Sequence, residues 1–248
     1  MPDQAAPRVS IVIPARNEEA RLPASIREIR RAFPSEAWEF LIVIEPGSDR
    51  SEEVARKETA GDPRFEILPN PTAHGKGHAV KTGMLRARGD WIFFMDADLS
   101  VPLRFVHEFL RSAGEADVLM GSRRHRGSRI AARQPLAREA AGRVFNRMLK
   151  LAGATCFSDT QCGFKAFRRT AAREIFSRVQ LEGFGFDVEA MALAEVLGFR
   201  VLELPVEWAD VAGSKLKPLR DGVSSLVEAI LAVGRVRREY KSICQASE

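Results

Sequence analysis

Apolar residues cluster in short runs along the first half of the chain: 9–13, 40–44, 65–68, 91–95 and 118–120. Runs of this length with little alternation suit strands buried on both faces, as in a parallel sheet. Between them the apolar positions recur at helical spacing. Leu22, Ile26, Ile29 and Phe33 lead up to Pro34, and Ala79, Val80, Gly83, Met84 and Ala87 lead up to Gly89. Further helices are expected over about 51–60 and from Pro102 to about 113, with Pro102 in the first turn. Strand–helix alternation with short links predicts an α/β fold with a doubly wound, mostly parallel central sheet over residues 8–121. The first strand is expected to stop at Pro14, with Asn17 capping the helix that follows.

The pattern changes after Gly121. An amphipathic helix is expected over 136–151, with Val144, Phe145, Met148 and Leu149 on one face. Residues 158–167 read as a compact, polar and aromatic passage. A helix at 171–176, a second one opening near Asp187 and running to Leu197, and a strand at 201–206 follow. Residues 208–217 read as a loop before a C-terminal amphipathic helix over 219–242. No repeat or low-complexity linker divides the chain, so residues 1–218 are expected to form one domain, with 219–248 as a helical extension.

Composition changes this picture little. At 45% hydrophobic and 29% charged, the 248 residues describe an ordinary globular protein. No apolar stretch approaches the ~20 residues of a membrane span. The N-terminus lacks the apolar core of a signal peptide, so a cytoplasmic location is expected. Cys156, Cys162 and Cys244 have no metal-site spacing and read as reduced thiols. The four histidines, His74, His78, His107 and His125, are likewise expected to form no metal site. Charge is more informative. Nine Lys or Arg residues and one acid, Glu139, lie between Arg123 and Lys150, giving +8 there against +5 for the whole chain. Such a block meets phosphates or anionic lipid, or else forms a solvated helix face.

Candidate chemistry starts at Asp96 and Asp98, which close the 91–95 run. On extended chain residues i and i+2 point the same way, and paired hard oxygen ligands suit Mg²⁺ or Mn²⁺. A lone Asp-x-Asp is more often a polar turn, so its company decides. The ends of three predicted strands, 14–18, 45–48 and 96–98, fall on one sheet edge, where α/β folds place ligands. The loop His74-Gly75-Lys76-Gly77 joins them with backbone able to approach an anion and one positive charge.

Pro14-Ala15-Arg16-Asn17-Glu18, Gly75-Lys76-Gly77, Gly89-Asp90 and Met95-Asp96-Ala97-Asp98 together resemble the inverting GT-A glycosyltransferases of family 2. The second half carries Asp159-Thr160-Gln161-Cys162-Gly163-Phe164-Lys165, Phe186-Asp187-Val188-Glu189, Val206-Glu207-Trp208 and Gly213-Ser214-Lys215. These resemble the dolichyl-phosphate β-glucosyltransferase and polyprenyl-phosphate hexosyltransferase branch. The resemblance covers roughly residues 8–220. It implies a GT-A fold with a nucleotide-sugar-binding half (8–121) and an acceptor half (122–218).

By that resemblance Pro14, Ala15 and Glu18 frame the base and ribose, with Asn17 and Ala97 inside the same matched motifs. Lys76 lies near the nucleotide, Asp96 faces ribose and metal, and Asp98 binds the divalent ion. Family members commonly have two aspartates where this chain has Glu45-Pro46. Glu45 keeps an acceptor for a base N–H, whereas Pro46 removes a carboxylate and a backbone donor.

Transfer from a nucleotide sugar requires neutralisation of the leaving diphosphate, to which Lys76 and Lys215 would add to the cation. A lipid monophosphate acceptor needs cationic positioning rather than a base, a use for Arg123, Arg133 and Arg138. Gln161 and Asp159 are expected to orient sugar or acceptor, with a turn cap as the other reading of Asp159. Asp187 is either a helix cap or the base for a hydroxyl acceptor. Glu189 and Trp208 read as structural.

The expected function is therefore hexose transfer, glucose from UDP-glucose, onto a polyprenyl or dolichyl phosphate. The alternatives are GDP-mannose or a hydroxyl acceptor on the same fold, or a non-catalytic binder of anionic surfaces or nucleic acid. No nucleic-acid partner is expected. The basic block and the last helix allow peripheral contact with a membrane.

Overall fold

The predicted apolar runs become the strands of one twisted sheet in the structure, a computed structural model that describes residues 8–35, 37–132, 134–211 and 218–245. In order they are β1 (Val9–Ala15), β2 (Trp38–Ile44), β3 (Phe65–Pro69), β4 (Trp91–Met95) and β5 (Val118–Ser122). The helices between them are α1 (Leu22–Ala32), α2 (Ser51–Thr59), α3 (Lys76–Arg86) and α4 (Arg104–Arg111). The second half adds β6 (Arg129–Ala132), α5 (Leu136–Leu151), β7 (Phe164–Arg168), α6 (Arg169–Arg178), α7 (Phe186–Val196), β8 (Val201–Pro205), β9 (Glu207–Ala209) and α8 (Pro218–Gln245). The main sheet runs β3-β2-β1-β4-β7-β5-β8, and β6 pairs with β9 apart from it.

Both faces of the sheet are covered, which is why its strands read as nearly continuous apolar runs. Ile11, Ile13, Phe40, Ile42, Phe93 and Met95 pack against α1, α2 and α4. Their neighbours in sequence, Val12, Leu41, Val43, Ile92 and Phe94, point the other way, into a core shared with α3, α6, α7 and α8. Within α7 every residue from Phe186 to Ala194 is buried, and α8 contributes Ala229, Val233 and Val236 to the same core.

Four local expectations are corrected. β1 runs through Pro14 rather than stopping there. Ala15 accepts from the Glu45 N–H on the β2 side (2.9 Å), so the Pro14 nitrogen faces β4. That neighbour pairs only with Val9–Val12 of β1 and asks no bond of Pro14. Helix α4 begins at Arg104, with Pro102 before it. The compact 158–167 passage, to which the sequence assigns no strand, contains most of β7, which enters antiparallel between β4 and β5. Trp208 and Ala209, expected as loop, belong to β9, which pairs with β6.

β7 carries the least expected residue of the interior. Lys165 is fully buried, donates to the Cys162 carbonyl at 2.7 Å and pairs with Asp187 of α7 at 2.5 Å. Its ammonium also lies 5.0 Å from the Phe94 ring centroid. Removing one partner of such a buried pair leaves an uncompensated charge, which is why the two residues must be retained together.

Close backbone approach fixes where α3 starts. A Cβ at Gly77 would sit 2.4 Å from the Leu181 carbonyl oxygen and 2.8 Å from Phe186 Cβ. Gly77→Ala is therefore expected to cost about 1–3 kcal/mol by overpacking, measured by urea denaturation. The same change at Gly142, within α5 and with open space around it, should instead stabilise by about 0.5–1 kcal/mol. Equal effects at the two positions would contradict the packing argument.

Candidate active site

The carboxyl ends of β1 and β4 open onto a crevice because the chain leaves β1 for β2 on one side and leaves β4 for β5, beyond β7, on the other. Pro14, Arg16, Asn17 and Glu18 follow β1, Glu45 follows β2, Lys76 opens α3, and Asp96 and Asp98 follow β4. All eight line one cleft of about 630 Å³. Ala15 and Ala97 lie beneath it with buried side chains, and the Ala97 carbonyl accepts from Ser25 Oγ at 2.6 Å.

A tight turn holds the two aspartates in place. The Leu99 N–H donates to the Asp96 carbonyl at 3.2 Å, and the Ser100 N–H donates to Asp98 Oδ1 at 3.0 Å. Leu99 itself adopts φ +52°, a left-handed conformation that costs a bulky side chain energy and clusters at functional sites. Gly163 is required opposite, since a Cβ there would lie 2.1 Å from Asp96 Oδ2.

Charge dominates this corner. Lys76 Nζ meets Asp96 Oδ1 at 2.6 Å. Burial opposes the Lys76 ammonium, but Asp96, with Asp187 and Asp98, outweighs it and raises its pKa. Burial and then repulsion from Asp96 push the Asp98 carboxyl above the usual range, against its bonds from Ser100. Burial likewise raises Asp187, despite the opposing pull of Lys165 and Lys76. Hard carboxylate oxygens with excess negative charge fit a small divalent cation that keeps water and phosphate oxygens as its other ligands. Asp98 and Asp96 are the residues that would hold it.

Three expected roles look different at atomic detail. Asn17 does not cap α1, whose first residue is Leu22. It takes the left-handed conformation (φ +55°), and its Oδ1 accepts from the Ser48 N–H at 2.7 Å. Asn tolerates this region better than other non-glycine residues. The buried Glu45 carboxylate accepts from the His74 N–H (2.7 Å), the Gly75 N–H (3.2 Å) and Asn70 Nδ2 (2.5 Å). It pins the loop that carries Lys76, which leaves little acceptor capacity for a base. Asp187 is the second residue of α7, not its cap, and is committed to Lys165.

A second cavity of about 270 Å³ adjoins the first and is lined by Arg123, Asn146, Asp159, Gln161, Asp187 and Trp208, among others. Lys76, Asp96 and Asp98 line both spaces. Asp159 does not cap a turn. Its buried carboxylate grips the Arg123 guanidinium in a fork at 2.7 and 2.8 Å, and Trp208 lies 5.6 Å from the same group. Burial opposes both charges, but each outweighs it for the other. Arg123 is raised and Asp159 lowered. Arg133, Lys215 and the side chain of Arg138 lie outside the described residues.

Sequence reasoning missed Lys165 and Asn146. Asn146 is buried on α5, donates to the Ser158 carbonyl, and leaves its Oδ1 without a partner. Gln161 Nε2 is also buried without a partner. A polar residue three positions before buried Leu149, on the same helix face, was the available signal for Asn146. Glu189 is structural as expected: its carboxylate accepts from the Leu181 N–H at 2.8 Å and from Arg235. His74 and His78, without metal spacing among the histidines of the sequence, meet Glu182 in the fold, and the three bring ligand atoms within 4.8 Å of one another.

Comparison with known proteins agrees with this geometry. Residues 10–176 match the Glycosyl transferase family 2 domain. A dolichyl-phosphate beta-glucosyltransferase of Drosophila melanogaster is 33% identical over 235 residues, 87% of this chain and 71% of that protein. The ALG5C dolichyl-phosphate beta-glucosyltransferase of Trichomonas vaginalis is 33% identical over 222 residues, 84% of this chain and 66% of that one. The chain thus spans about two thirds of the length of these relatives. The glucosyl-3-phosphoglycerate synthase of Mycobacterium tuberculosis, solved with Mn²⁺, UDP and glucosyl-3-phosphoglycerate, shares the fold. The TM-score is 0.63 at 18% identity, over 94% of this chain and 80% of that one. With the family domain covering most of the sheet and the carboxylate–lysine cluster at its edge, the chain belongs to glycosyltransferase family 2.

Proposed function

We propose that the protein transfers glucose from UDP-glucose to a polyprenyl or dolichyl phosphate, inverting the anomeric carbon, with Mg²⁺ or Mn²⁺ bound at Asp98 and Asp96. The observation that carries this is the shared wall: Lys76, Asp96 and Asp98 line both the donor cleft and the cavity that holds Arg123. A bond breaking at that wall would have the nucleotide on one side and an anionic acceptor on the other. The cation, when bound, supplies charge for the departing diphosphate. Lys76 adds a second positive group, held in place by Asp96.

The acceptor assignment follows from what the other carboxylates do. Asp187, the candidate base, and Asp159 are each engaged by a cation, Lys165 and Arg123. A phosphate monoester acceptor is already anionic and needs no proton removed. Arg123, fixed by Asp159 and backed by Trp208, offers it a preoriented fork. Asn146 Oδ1 and Gln161 Nε2, one acceptor and one donor, supply what a sugar hydroxyl bonds with. The relatives named above act on dolichyl phosphate by their names, and the solved neighbour holds UDP and Mn²⁺.

A lipid acceptor would be met at a membrane surface. No described helix is long and apolar enough to cross one. Val144, Met148 and Leu151 of α5 and Val223, Val227 and Leu231 of α8 are exposed at helical spacing. Arg143, Arg147 and Lys150 are exposed on α5 as well. Apolar stripes with flanking basic residues suit the interface of an anionic bilayer.

Thermal-shift titration with UDP, GDP and CDP in the presence of Mn²⁺ tests the donor, and stabilisation by UDP alone is expected. No response to any nucleotide would end the proposal. Asp98→Asn should lower turnover of UDP-glucose by at least about 100-fold, the scale of losing one preorganised electrostatic group. Its unfolding midpoint at neutral pH should hold or rise. The folded pKa of Asp98 is raised, so its ionised form costs the metal-free fold stability above that pKa, and the amide removes the cost.

Arg123→Lys keeps the charge but loses the fork. It should raise KM for a polyprenyl phosphate by about tenfold or more, the worth of a charged hydrogen bond, while UDP affinity stays the same. Replacing Met148 and Leu231 with Glu should cut sedimentation with anionic vesicles and leave UDP binding intact.

A further inference from the structure

We propose a second metal site, for a transition ion of the Zn²⁺ class, formed by His74, His78 and Glu182 on the lip of the donor cleft. It is distinct from the Asp96–Asp98 pair and does not depend on the transfer reaction proposed above.

Each histidine already has one ring nitrogen anchored, which leaves the other available. His74 Nε2 bonds Thr72 Oγ1 at 2.6 Å, and its Nδ1 faces Glu182 Oε2 at 3.2 Å. His78 Nδ1 accepts from Asn70 Nδ2 at 3.0 Å and lies 3.4 Å from the buried Glu45 carboxylate, so ligation through Nε2 moves the ring proton to Nδ1, towards Glu45. A carboxylate behind a histidine is the outer-shell arrangement that orients metal-bound imidazoles and raises their basicity.

The backbone is preorganised too. The Gly77 and His78 N–H groups donate to the Glu182 carbonyl at 2.7 and 3.2 Å. Gly75, at φ +142°, leaves room that a Cβ would fill, 2.6 Å from the same oxygen. Glu182 is thereby clamped to the first turn of α3, and the three ligand-bearing segments cannot drift apart.

Two imidazoles and one carboxylate form a borderline donor set, which suits Zn²⁺, Co²⁺ or Ni²⁺ better than Mg²⁺. The side chains are 35%, 28% and 52% exposed for His74, His78 and Glu182, so an aqueous ion can reach them. Their ligand atoms lie within 4.8 Å, whereas a tetrahedral Zn²⁺ wants edges of about 3.4 Å, given bonds near 2.1 Å. The two rings stack at 4.2 Å, so binding turns one ring and draws Glu182 inward, with water as the fourth ligand. An ion here braces the 70–75 loop, the start of α3 and the 181–183 turn around Lys76.

Co²⁺ is the probe, added in excess Mg²⁺ so that hard carboxylate sites are filled. The expected result is an intense visible d–d band at one equivalent, together with an upward thermal shift on adding Zn²⁺. Both should be lost in His74→Ala and in Glu182→Ala, surface changes that leave the core untouched, and retained in Asp98→Asn. Absence of the band in the parent protein would overturn the proposal. So would its survival in either surface variant, or its loss in Asp98→Asn, which would place the ion at the aspartates.

Discussion

A charge imbalance at the end of β4 governs the cleft. Asp96, Asp98 and Asp187 share the region with two ammonium groups, Lys76 and Lys165. Burial is the main reason the Asp98 and Asp187 carboxyls are raised, and repulsion from Asp96, stronger in a poorly solvated corner than in water, adds to it. A site strained in this direction gains most from a divalent cation and from the phosphates such a cation brings.

Around that corner the fold spends its unusual backbone. Leu99 and Asn17 are left-handed, the first beside Asp98 and the second against the turn after β2. Gly163 gives way to the Asp96 carboxylate, and Gly75 and Gly77 give way to the 181–183 turn. Beneath them, the buried Lys165–Asp187 pair ties β7 to α7. Buried pairs of this kind rarely repay their desolvation in stability. Here the pair sets the distance between the sheet and the helix beside the second cavity.

The sheet was legible because its strands are buried on both faces, which writes them as solid apolar runs. β7 escaped for the opposite reason: Phe164-Lys165-Ala166-Phe167 carries a charge whose partner lies more than 20 residues away. The same limit applies across the site. Asp96, Asp98 and Lys76 announced themselves through spacing and motif, and Arg123 through local charge density. What each carboxylate is bonded to was invisible. Asp159 with Arg123, Glu45 with the loop at 70–75, and Glu189 with Arg235 are pairings of the fold, not of neighbouring residues. His74 and His78 stand four apart, but the third member of their cluster comes from a distant turn.

Helix α8 was expected as an extension beside the catalytic body, yet it is part of the core and of the cleft at once. Ala229, Val233 and Val236 are buried against the sheet's helices, while Ser225 lines both cavities. The order in which a ribosome makes the chain therefore matters. The carboxylates and Lys76 emerge early, but the walls around them stay open until α8 has left the exit tunnel. Only the finished helix turns that sheet edge into a vessel.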